Sequence, residues 1–169
     1  MSTLSLYASS VPVFAKTLAN MQGWLDKAEA LAAERKFDTS VLCTARLAPD
    51  MLSLTGQVHL ATAFAKNAVC RLANTIPPDF AALDDNFPAY RARIEESLAI
   101  VNATQPDAFD GALTREISIK IGPERTLTLN GQDFLFGFVL PNFYFHATTA
   151  YAILRHNGVL LGKADFMGA

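Results

Sequence analysis

Apolar residues recur at three- and four-residue steps along four stretches of the chain, the spacing that draws one buried stripe down a helix. In the first, from about Ser10 to Arg35, the stripe is Phe14, Leu18, Met21, Leu25, Ala28 and Ala32. Pro12 falls in the first turn, where a missing N–H costs nothing, and Ser9 or Ser10 can cap. A connector from Phe37 to Ala48 follows, with one helical turn expected after Asp38-Thr39-Ser40. The second helix is predicted from Pro49-Asp50 to Asn74, burying Met51, Leu54, Val58, Ala61, Ala65, Ala68, Val69 and Leu72. Ile76-Pro77-Pro78 stops it, because proline cannot continue the hydrogen-bond ladder. The third runs from about Phe87 to Asn102 on the stripe Ile94, Leu98, Val101, with Asn86 as cap and Pro88 in the first turn.

The period then changes from about 3.6 to 2. Ile117, Ile119 and Ile121 alternate with Ser118 and Lys120, Gly122-Pro123-Glu124 turns, and Leu127 and Leu129 alternate with Thr126 and Thr128. This pattern is a β-hairpin, closed by Asn130-Gly131. The last helix is expected over about Asp133 to His156 with a break or kink near Pro141, and Asn157-Gly158 ends it, glycine taking the left-handed position. From Phe143 to Leu154 this helix is apolar nearly all round, so it belongs in the centre or in an interface. No internal repeat or linker divides the chain, and residues 1–169 are taken as one domain.

Composition narrows the function. Apolar residues make up 51% and charged residues 18%, against a usual charged share of about 25%. Either the core is well filled or part of the apolar surface meets a second subunit, and a homodimer is the expectation. A net charge of −2 and the absence of any basic block give no field for nucleic acid. Phe134 to Phe145, the most apolar segment, is interrupted by Gly137, Pro141 and Asn142 and falls short of the roughly 20 residues that span a bilayer. Met1 to Ser10 has neither the basic region nor the apolar stretch of a signal peptide. The expected location is cytoplasmic, with no membrane partner. Cys43 and Cys70 show no ligand spacing, and Cys70 fits a small core residue.

The residues offer little conventional chemistry. Asp84-Asp85 and Glu95-Glu96 are adjacent pairs whose members point apart, and no nucleophile elbow or glycine-rich phosphate loop occurs. What stands out is a polar strip on the apolar last helix: Asn142, His146 and Thr149 lie one above another, with Ile153 continuing the row. Buried polar groups must be hydrogen-bonded, so His146 is either a satisfied core histidine or part of a pocket. His59 lies about 130° from the centre of its helix's apolar face, at a surface or edge. His156 sits at a helix C-terminus, where a partly positive imidazole suits the dipole.

The run Leu140-Pro141-Asn142-Phe143-Tyr144-Phe145-His146-Ala147-Thr148-Thr149-Ala150-Tyr151-Ala152-Ile153-Leu154-Arg155-His156-Asn157-Gly158 resembles a bacterial domain-of-unknown-function family, the one numbered nineteen ninety-three. Ala45-Arg46-Leu47-Ala48-Pro49-Asp50-Met51 and Leu161-Gly162-Lys163 are similar to the same family. The resemblance implies a mainly all-α fold, a DinB-like four-helix bundle with a β-hairpin inserted between helices three and four, within the DinB-like and YfiT-like metalloenzyme superfamily. That superfamily's metal site uses three histidines, one on the second helix and two on the last. Here the first position falls on Gln57, His146 matches the second, and the third falls on Thr149 or Ala150. Glutamine and threonine are weak substitutes for imidazole, and His59, two residues beyond Gln57, points about 200° away.

The expectation is therefore a bundle without a metal cofactor that binds a small ligand or serves a stress response, with Gln57, Asn142, His146 and Thr149 as the ligand-binding candidates. Two alternatives stay open. One is a metal-dependent, thiol-transferase-like enzyme built on His146 and a replacement ligand, which leaves a divalent metal open. The other is a structural or interaction protein whose apolar helix is a dimer interface. Gln57 and His146 are expected to face each other near one end of the core.

Overall fold

The first stripe folds as α1 (Val11–Arg35), and the expected turn after Asp38-Thr39-Ser40 forms as α2 (Ser40–Cys43), where Asp38 accepts from the Ser40 amide at 2.8 Å. The computed structural model describes residues 5–168, so Met1 to Leu4 of the leader expectation lie outside the described residues. Then come α3 (Leu54–Leu72), α4 (Phe87–Ala103), a single 3-10 turn (Pro106–Phe109), β1 (Glu116–Lys120) and β2 (Thr126–Asn130). The chain closes with α5 (Gly131–Asp133), a π-helical turn (Phe134–Val139), α6 (Leu140–His156) and α7 (Lys163–Met167). No helix among the described residues is long and apolar enough to cross a membrane.

Three boundaries differ from expectation, each for a local reason. The second helix begins at Leu54 rather than near Pro49, because Ser53 is extended (φ −67°, ψ 172°) and the Leu54 amide turns back to the Ala45 carbonyl at 3.0 Å. Met51 is accordingly outside the helix and only half-buried. Around Pro141 the helix widens instead of breaking: the π-helical turn Phe134–Val139 precedes it, and proline stands in the first turn of α6. A proline lacks the amide for an i−4 bond and its ring crowds that carbonyl, and a widened turn accommodates both defects while the helix continues. Finally, Asn130 ends β2 and caps the next helix directly, accepting from Asp133 at 2.8 Å. Gly131 is required there, since a Cβ would lie 1.8 Å from the Ala112 carbonyl oxygen.

Side-chain pairs fix the direction of each helix. Phe14 meets Phe143 and Trp24 meets Tyr151, so α1 and α6 run parallel. Gln57 meets His146 while Phe64 meets Phe138, so α3 and α6 run antiparallel. Thr55 meets Tyr90, His59 meets Arg93 and Ser97 meets Thr62, so α3 and α4 run parallel. The bundle is thus up-down-down-up, and residues 73–86 must return along the outside as a strap. Phe14, Leu18, Leu54, Phe87, Tyr90, Ile94, Phe143 and Ile153 fill the centre, all essentially inaccessible. The hairpin pairs Ile117 with Leu129 and Ile119 with Leu127, in the alternation read from the sequence, and the isoleucines face inward. At the far end Gly158 takes the expected left-handed position (φ +93°). Short α7, absent from the sequence reading, docks on α1 through Trp24 Nε1–H to the Asp165 carbonyl at 3.0 Å and a Trp24–Phe166 stack.

A candidate polar site at His146

His146 projects from α6 toward α3, where Gln57 waits one turn inside the helix start. Nδ1 of the imidazole lies 2.8 Å from Oε1 of Gln57, with both residues buried (8% and 1% exposed). The second end of the Gln57 amide decides the polarity of that bond. Its Nε2 donates to the Leu52 carbonyl at 3.2 Å, and a carbonyl can only accept, so the oxygen must face His146. Nδ1 therefore carries the proton and Nε2 holds a lone pair. Among the described residues Nε2 has no partner, yet no buried side-chain polar atom there lacks one. Nε2 is consequently not sealed from solvent.

Aromatic rings hold the imidazole in place. Phe64 stacks on it at 5.7 Å and 17°, and Phe145 meets it edge-on at 5.3 Å. Burial pushes the imidazole below its ordinary value of 6.5, so His146 is neutral near pH 7. The local result is a fixed neutral acceptor at the edge of an apolar wall, flanked by the exposed side chain of Phe145.

The other two members of the strip do not join this bond. Asn142 donates to the Phe138 carbonyl at 2.7 Å and Thr149 to the Phe145 carbonyl at 2.7 Å, each four residues back on its own helix. They satisfy themselves locally, as short polar side chains in helices do. Of the four candidates, the structure brings Gln57 and His146 together and leaves Asn142 and Thr149 self-paired. His59 is an edge residue, as expected, on the rim of the α3–α4 seam. It is half-buried against α4, its Nδ1 3.0 Å from Nη1 of Arg93, on the side of α3 away from His146. His156 is exposed in the last turn of α6. All four members of the acidic pairs are exposed; Asp85 accepts from the Thr55 hydroxyl, and Glu96 lies 3.5 Å from Nε of Arg93.

The donor set does not suit the three-histidine metal site of the superfamily. Among the described residues no three His, Cys, Asp or Glu side chains stand together as a metal could use them. Gln57 and Thr149 or Ala150 stand where the resemblance would put the other two ligands; Gln57 and Thr149 already have protein partners, and alanine offers no ligand atom.

The residues that the sequence reading missed are those that orient the site. Leu52 acts through its carbonyl, for which a sequence carries no signal. Phe64 was legible as an aromatic seven residues after Gln57 on the same helix face.

The up-down-down-up bundle, with a histidine of the last helix facing the start of the second long helix, defines a DinB-like protein. The chain belongs to the family described as Domain of unknown function (DUF1993), whose model matches residues 6–167. It is similar to a solved DinB family member protein from Shewanella denitrificans, with 38% identity over 97% of this chain and 92% of that one and a TM-score of 0.90. No curated protein matches it in sequence.

Proposed function

We propose that this DinB-like chain is a metal-independent binding protein for a small, neutral, hydroxyl- or amide-bearing ligand, held at Nε2 of His146. The observation that supports the reading is the orientation of the imidazole: Gln57 fixes its protonated Nδ1, and the lone pair of Nε2 is not sealed from solvent and has no protein partner among the described residues. Such a group accepts a hydrogen bond from a neutral donor, while the adjoining Phe64 and Phe145 supply apolar contact. Gln57 is a positioning residue, since it acts only through His146.

Ligand-observed NMR with phenol and anisole tests this, because the two share an aromatic body and only phenol donates. One added hydrogen bond is worth about 0.5–1.5 kcal/mol, so phenol should bind roughly 2- to 10-fold more tightly. His146→Leu should erase the difference. Equal affinities for the two probes, or a preference unchanged in His146→Leu, would overturn the reading.

A second reading rests on a separate observation: Phe145 (55% exposed), Leu52, Phe136 and Tyr144 leave large apolar side chains in water. Phe145 packs on His146 and the Leu52 carbonyl accepts from Gln57, so a second copy of the chain that covered both residues would form a homodimer at this site.

A further inference from the structure

On α3, Thr55, His59, Thr62 and Lys66 form a polar row at four-, three- and four-residue steps, facing Tyr90, Arg93 and Ser97 of α4. The returning strap lies over this seam. Lys66 donates to the Pro78 carbonyl and sits 3.8 Å from the centre of the Phe80 ring. Arg93 donates to the Ala81 carbonyl at 2.7 Å and lies 4.2 Å from the same ring. Both cations are buried, at 3% and 6% exposure. Beside them is a cavity of about 560 Å³ lined by His59, Lys66, Asn67, Arg71, Asp79 and Phe80, among others.

The charges around this cavity do not balance. Among the described residues, the one ion pair made by Lys66, Arg71 or Arg93 is Arg93 with the half-exposed Glu96. Among the described residues Lys66 has no carboxylate within 4 Å, and Asp79 is the single acid on the cavity wall. Buried charges are ordinarily paired, and a buried ammonium held only by one carbonyl and a ring face lacks that compensation.

The hydrogen-bond roles point the same way. A guanidinium can only donate, so Nδ1 of His59 accepts from Arg93 and its proton sits on Nε2. That Nε2–H makes no bond among the described residues, and neither does the Asn67 side chain. Two of the three Lys66 donors are unused, and Arg71 spends one nitrogen on the Ser118 carbonyl at 3.2 Å. Beside the single carboxylate of Asp79, the cavity wall thus carries unused donors on His59, Lys66, Asn67 and Arg71, the groups an oxyanion requires.

We propose that the cavity beneath the strap is a binding site for a small oxyanion, a phosphate or carboxylate group, recognised by Lys66 and Arg71 with donors from His59 and Asn67. Neither His146 nor Gln57 lines this cavity, so the site is separate from the one at His146. An oxyanion there supplies the counter-charge that Lys66 lacks, and the Phe80 ring forms one wall for the body of the ligand.

Isothermal titration at about 0.15 M salt, with inorganic phosphate in one arm and succinate in the other, tests the site and separates the two sources of the group. At least one should bind saturably. Lys66→Met, close in volume and free of the buried charge, should weaken that binding at least tenfold while the protein stays folded. Arg71→Met, at a half-buried position, gives an independent second variant and should weaken binding several-fold. His146→Leu should leave it unchanged. Absence of saturable binding of either anion up to about 10 mM, a range far weaker than small-molecule recognition requires, would overturn the proposal. So would unchanged affinity in both Lys66→Met and Arg71→Met, which would reduce Lys66 to a clip for the strap and Arg71 to a contact with the hairpin.

Discussion

Replacing His146 with leucine isolates the bond at the centre of the candidate site. The substitution keeps an apolar body against Phe64 but removes the donor to Gln57, whose amide oxygen lies in a side chain only 1% exposed. An acceptor left buried without a donor costs about 1–3 kcal/mol. Gln57→Leu removes the acceptor instead, and frees the Leu52 carbonyl, which belongs to an exposed residue and can turn to water. The double variant removes both partners, and an apolar pair of similar shape is nearly neutral. The singles should therefore each lose stability, and the double should lose less than their sum by about 1 kcal/mol or more, within the usual range for residues in contact. Urea unfolding followed by fluorescence of Trp24, the one tryptophan and a buried one, measures this. With a slope of about 2 kcal/mol per M, each single should move the midpoint down by roughly 0.5–1.5 M. A His146→Leu midpoint indistinguishable from the parent, or strictly additive losses in the double, would refute the reasoning.

Stability should also fall on mild acidification. Burial lowers both His59 and His146 from the ordinary 6.5, with Arg93 and Lys66 adding to the effect at His59. The unfolded chain then binds protons first as pH drops, so their contribution, complete above about pH 6.5, is lost below it until the folded groups protonate too. Midpoints between pH 7 and 5 should show this decline, and His146→Leu should flatten it; a slope unchanged in that variant would assign it to His59 alone. Elemental analysis of protein purified without chelator should find no stoichiometric transition metal, because two of the three superfamily ligand positions fall on Gln57 and on Thr149 or Ala150; near one equivalent of zinc, nickel or iron, lost in His146→Leu, would contradict this. Light scattering at micromolar concentration should give a dimer mass, reduced by Phe145→Glu, whereas a monomer would leave Phe145 and Leu52 as solvated residues.

The helices and the hairpin were legible because their signals are local. Stripes at three- and four-residue steps, alternation at two, Asn86 as cap and Gly158 as left-handed stop each follow from a few neighbouring residues and the geometry of one turn. The facing of Gln57 and His146 came from the family resemblance together with the polar strip, because periodicity says which face a residue shares and not which helix it will meet. The row Thr55, His59, Thr62, Lys66 carries the same spacing as Asn142, His146, Thr149, Ile153, yet its meaning depends on α3 and α4 running parallel. A bundle with short loops would have made them antiparallel, and only the strap over residues 73–86 reverses that.

Within the strip, sequence could not separate members that bond across the bundle from members that bond to their own helix. Asn142 and Thr149 are short enough to reach a carbonyl four residues back, whereas the imidazole of His146 is too long and too rigid for that and must find its partner elsewhere. The sequence by itself determined which segments are helical and which faces are apolar, since these depend on local periodicity and residue chemistry. The tertiary structure alone decided the tautomer of His146, through a Leu52 carbonyl that orients Gln57, and gathered Lys66, Arg71 and Arg93 beneath one strap. Backbone carbonyls look alike in every sequence, and charges far apart along a chain become neighbours only when the helices that carry them are packed.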